Sequence, residues 1–78
     1  MTGTRIRLIW DFFGPDAERT ARHHARHLEG FVAREQVADT ASGAEAGNPG
    51  HWMAYLIVNQ GDVPPLRQAL RPQRGLEA

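Results

Sequence analysis

Residues 5–13 read Arg5-Ile6-Arg7-Leu8-Ile9-Trp10-Asp11-Phe12-Phe13 and run directly into Gly14-Pro15-Asp16-Ala17-Glu18. The first nine alternate with a period of two, the signature of a half-buried strand. Ile6, Leu8, Trp10 and Phe12 share one wholly apolar face. Arg5, Arg7, Ile9, Asp11 and Phe13 share the other, which is apolar only at Ile9 and Phe13. The next five residues read as a helix start. Glycine suits the cap, and proline at the first helical position gives up an N–H that would have no partner there. Asp16 and Glu18 complement the positive end of the helix dipole.

Spacing at 100° per residue carries that helix onward. Ala17, Ala21, His24, Ala25, Leu28, Phe31 and Val32 fall on one face, with Glu18, Arg19, Arg22, Arg26 and Glu29 opposite. Gly30 could stop it early, but Phe31, Val32 and Glu35 continue the stripe, so the helix is expected to reach about Arg34. Val37 to Ser42 has the makings of a weak edge strand. Gly43 to Gly50, which ends Gly47-Asn48-Pro49-Gly50, reads as a mobile loop. His51 to Asn59 is a second strong strand, with Trp52, Ala54, Leu56 and Val58 facing one way and Met53, Tyr55, Ile57 and Asn59 the other. Gln60-Gly61 breaks it. Asp62 caps a short helix to about Arg71, striped by Val63, Leu66, Ala69 and Leu70 and stopped by Pro72.

The order β-α-β-β-α predicts an α+β fold. Two parallel strands joined by a helix, with a third between them, form the split β-α-β of ferredoxin-like folds. A three-stranded sheet in the order one, three, two is expected, with both helices on one face and the usual fourth strand lacking. Residues 1–72 make the single domain, and 73–78 read as a disordered tail.

Composition narrows the chemistry. The 78 residues include no cysteine, which removes disulfides, thiolate metal sites and cysteine nucleophiles. The nine basic residues are all arginine, so there is no Schiff-base lysine and no phosphate-loop lysine. Nine acidic residues balance them, without the basic excess of a nucleic-acid binder. Arg5 and Arg7 interrupt the only early apolar run, and no stretch approaches the roughly 18 apolar residues of a membrane span. The expected setting is the cytoplasm, with neither nucleic acid nor membrane as partner and no cofactor.

The candidate sites rest on spacing. His23 and His27, four apart on one helical edge, make a half-site for zinc or nickel, although the glutamate of an HExxH pattern is missing and Arg26 repels a cation. His24 and His27, with Asp11 at the end of strand one, are the candidate acid–base groups. Asp11 has an equally simple structural use, accepting loop hydrogen bonds or pairing with an arginine. Trp10, Phe13, Trp52 and Tyr55 are candidates to line a pocket for a planar or apolar ligand. The only serine, Ser42, stands outside any nucleophile motif. A homodimer is the expected assembly, because two helices cover only one side of a sheet whose third strand is apolar on both. Packing sheet on sheet would bury the second side. The rival geometry, edge pairing through strand one, is discouraged by Arg5 and Arg7. The function expected is that of an accessory or binding protein with a small ligand or another protein as partner. The alternative is a small enzyme or metal-binding protein using Asp11 and the helix-one histidines.

Overall fold

The computed structural model describes residues 3–78. Its elements are β1 (Arg5–Phe13), α1 (Ala17–Arg34), β2 (Ala41–Ala46), β3 (His51–Asn59), a 3-10 turn (Gln60–Asp62), α2 (Val63–Leu70) and β4 (Arg74–Glu77). The four strands form one open sheet in the order β2-β3-β1-β4, and every neighbouring pair is antiparallel.

β1 and β3 lie side by side over their full nine residues, Arg5 opposite Asn59 and Phe13 opposite His51. That register puts the two apolar sets, Leu8 and Trp10 with Ala54, Leu56 and Val58, on the same side. Leu28 and Val32 of α1 and Leu66 of α2 close over them in one buried cluster. Both helices therefore cover one face. The indole N–H of Trp10 donates to the Leu70 carbonyl at 2.9 Å, which ties β1 to the end of α2 and satisfies the one polar atom of that side chain. At the other end of β1, Gly14 adopts φ 102, a left-handed value that favours glycine, and its N–H donates to the Gly50 carbonyl at 2.9 Å. Gly30 does not interrupt α1, which runs to Arg34 as its stripe requires.

Three expectations need correcting. The sheet has four strands, not three: Arg74–Glu77, expected as tail, pairs antiparallel with β1 from Ile6 to Ile9. The Gln73 N–H donates to the Ile9 carbonyl and the Ala78 N–H to that of Arg5, so backbone bonds anchor the segment at both ends. The second strand is displaced by about one turn of sequence. Gln36 and Asp39 take left-handed φ values of 56 and 60, which no strand can include, so β2 begins only at Ala41. It extends through Gly43 to Ala46, and the hairpin loop shrinks to residues 47–50. Finally, β1 lies inside the sheet, flanked by β3 and β4, so pairing through a free β1 edge is ruled out. Among the described residues no helix is long and apolar enough to cross a membrane.

Candidate functional site

The helices leave the second face of the sheet without a covering layer, and the polar residues of the strands gather there. Asp11 stands opposite Met53, and Phe13 opposite His51, so Asp11 and His51 are diagonal neighbours on one face. Arg74 arrives from the other side, because Ile9 is paired with it in β4.

Asp11 is the hub. Its Oδ1 lies 2.7 Å from His51 Nε2 and accepts from Arg74 Nη2 at 2.8 Å, while Oδ2 accepts from Arg74 Nε at 3.1 Å. The fork-to-fork geometry with Arg74 is the strong form of such a pair. The Asp11 backbone N–H donates to the Gln73 side-chain oxygen. Burial by itself would raise the Asp11 carboxyl. The hydrogen bonds and charges of Arg74 and His51 outweigh it and hold the carboxyl below its ordinary value. A carboxylate only accepts, so His51 Nε2 carries the proton in this contact. The imidazole is flanked by the Phe13 ring, stacked at 4.7 Å and 11°. A Cβ on Gly47 would come within 2.3 Å of His51 Nδ1, so the absence of a side chain in the hairpin makes room for the ring. Arg74 also reaches Met53 Sδ at 3.3 Å.

A second cluster lies beside the first. The Arg7 guanidinium sits 4.2 Å above the centre of the Tyr55 ring and pairs with Glu45 of β2. Tyr55 extends over Gly43, where a Cβ would lie 2.6 Å from the hydroxyl oxygen. Small residues in β2 are what allow the tyrosine to lie flat.

The remaining candidates divide between the two sides. Trp10 and Trp52 face the helices: Trp10 is in the core, and Trp52 is half-buried under the Arg22 guanidinium at 5.1 Å. Phe13 and Tyr55 face the open side. These four aromatic residues therefore do not line one pocket. His24 also belongs to the helix side, edge-on to Trp10 at 5.0 Å and to Phe12 at 5.7 Å. Burial, then the charges of His27 and His23, lower its pKa, and its Nε2 is buried without a hydrogen-bond partner among the described residues. His24 and His27 are thus separated from Asp11 by the sheet, and the acid–base set proposed from spacing is not assembled. His23 is exposed as its helical phase requires, and its Nε2 lies 3.0 Å from that of His27. Among the described residues no third histidine, aspartate or glutamate joins these two in a group that could hold a metal ion.

Sequence reasoning places an acid at Asp11 and an arginine as one of its uses, but pairs it for acid–base work with His24 and His27 where the structure has His51, and it does not single out Arg74. The parity of His51 with Met53 and Tyr55, set against the parity of Asp11 with Ile9 and Phe13, was the signal that would have joined them. Arg74 has no such signal, since its four-residue strand is exposed throughout and carries no apolar period. In comparisons with protein families, characterised proteins and solved structures, the chain matches none.

Proposed function

We propose that this is a small, non-catalytic cytoplasmic binding protein of ferredoxin-like architecture that acts as a homodimer, sheet face against sheet face. The observation that carries the reading is the uncovered second face. It carries two large exposed apolar side chains, Phe13 of β1 at 74% and Leu76 of β4 at 50% exposure, and the half-buried Met53, Tyr55 and Ile57 of β3 on the other side of β1. Large apolar side chains left exposed on a face that no helix covers suit an interaction site.

Two further features suit a second copy. Strands of nine, six, nine and four residues, at about 3.3 Å per residue and spaced about 4.8 Å apart, give a face of roughly 450 Å². Two such faces bury on the order of 900 Å² together, short of the roughly 1,200 Å² of a stable interface and in the range of a weak, transient pair. The central carboxylates are also already neutralised within the chain, Asp11 by Arg74 and Glu45 by Arg7. Covering them strands no unpaired charge, the usual cost of burying ionic groups. The test is sedimentation equilibrium across the micromolar range. An average mass that rises with concentration from 8.7 kDa toward twice that value is expected, and a single species at 8.7 kDa throughout would contradict it.

A second reading, a small enzyme, is favoured by one observation: the 2.7 Å Asp11–His51 contact, which has the form of an oriented general base. It uses His51 in place of the helix-one histidines. Chemical modification separates the two readings. In a face-packed dimer His51 is shielded from diethyl pyrocarbonate, and dilution to monomer exposes it. A catalytic imidazole open to substrate reacts in both states.

A further inference from the structure

On the helix side of the sheet, away from the proposed dimer face, α2 and β4 do not close on each other. Between them lies a cleft of about 440 Å³, within the usual range for small-ligand sites. We propose that this cleft binds a small carboxylic acid with an apolar tail, the tail along Ile6 and Val63 and the carboxylate on Arg67. The proposal deepens the binding reading by naming a ligand class, and it does not depend on the dimer.

The cleft owes its shape to particular residues. Gly75 stands opposite Leu8 in the register and turns the same way as Leu8 and Ile6. A Cβ at Gly75 would sit 3.6 Å from Ile6 Cγ2 and from Leu8 Cδ2, so any larger side chain there would cover the apolar floor. Glycine leaves its Ile6 side accessible, with Leu8 buried beneath. Val63 and Pro64 in the first turn of α2, with Pro72 after its end, make a stiff apolar wall. Arg67 is four residues from Val63, on the same edge of α2, and also lines the cleft.

Charge selects the head group. No aspartate or glutamate lines the cleft, and among the described residues Arg67 has no carboxylate partner within ion-pair distance. The other arginine of the lining, Arg74, spends its guanidinium on Asp11 across the sheet. One free guanidinium matches one negative charge and offers the planar fork that a carboxylate accepts in two bonds. A phosphate dianion would keep a charge uncompensated.

The experiment is an amide chemical-shift titration of the full chain with sodium octanoate, and separately with 1-octanol. Saturable shifts at Leu8, Val63 and Gly75 are expected with octanoate, with a Kd on the order of 0.1–1 mM. Arg67→Gln should weaken octanoate at least fivefold and leave octanol unchanged. Gly75→Val should abolish both by filling the floor, and Val63→Phe does the same from the wall should the β4 variant fail to fold. Absence of saturable shifts at these amides overturns the proposal, as does equal weakening of acid and alcohol, or shifts confined to Phe13 and Leu76. Loss of octanoate binding in an intact dimer condemns the cleft alone. Binding by a monomer condemns the dimer alone.

Discussion

Asp11 and His24 face opposite sides of the sheet and give the protein opposite kinds of polar burial. Asp11 is satisfied on both oxygens, and its carboxyl is lowered below its ordinary value because Arg74 and His51 outweigh burial. A carboxyl so lowered binds its proton more weakly in the fold than in the unfolded chain, where its pKa is about 3.9. Its contribution to stability is complete above that value and is lost as pH falls through the folded one. Asp11→Asn is expected to cost about 1–3 kcal/mol at pH 7. In urea melts at one protein concentration, the gap to wild type should narrow from pH 7 to pH 3. A constant gap would show that the ion pairs contribute nothing. His24 is the converse, a half-buried imidazole whose lowered pKa keeps it neutral in the fold. The unfolded chain takes up a proton below about pH 6.5 and the folded one resists, so stability is full above that pH and falls on acidification. His24→Phe keeps the edge-on packing against Trp10 and Phe12 and deletes the unpartnered Nε2. It should match or exceed wild type at pH 8 and exceed it by about 1–2 kcal/mol at pH 5.5 in thermal melts.

Elements differ in how plainly they announce themselves. β1, α1 and β3 each carry a long apolar period, and the chain forms them where that period runs. β2 carries none. Ala41-Ser42-Gly43-Ala44-Glu45-Ala46 is small throughout, and at Gly43 a side chain would collide with Tyr55, as one at Gly47 in the adjoining loop would with His51. Small size without alternation reads as loop, which is why its position was misjudged. β4 is four residues, all exposed, and its pairing rests on backbone bonds to β1 that no side-chain pattern encodes. The site inherits the same division. Asp11 was legible from its place at the end of β1, whereas its partners required the register of two strand pairs. Two expectations belong at this scale. Gly43→Val should displace Tyr55 and destabilise the fold by about 1–3 kcal/mol through overpacking, whereas Ser42→Val, whose side chain turns to the other face, should not. Hydrogen exchange should show the Gln73 and Ala78 amides protected by their Ile9 and Arg5 acceptors. Exchange at the rate of a free chain would remove β4 from the sheet.

At the scale of the whole molecule, the chain spends both helices on one side and leaves the other as a surface of paired charges and exposed aromatics. Ile9 is only 3% exposed there, covered by its neighbours, so the apolar area is smaller than the strand sequences suggest. The dimer is accordingly expected to be weak, dissociating in the micromolar range, and to depend on the side chains that project furthest. Phe13→Ser should shift the monomer–dimer equilibrium at least tenfold toward monomer in sedimentation. Monomer stability should change by no more than about 0.5 kcal/mol, because an exposed side chain contributes little to the isolated fold. The measurement that bears most directly on the account is an isotope-filtered NOE experiment on a mixture of labelled and unlabelled protein, read at the side chains of the second face. Sheet-on-sheet packing predicts intermolecular contacts among Met53, Tyr55, Ile57 and Phe13, and none to the helices. Intermolecular contacts that fall on α1 or along the β2 edge, or none at concentrations well above the dissociation constant, would contradict it.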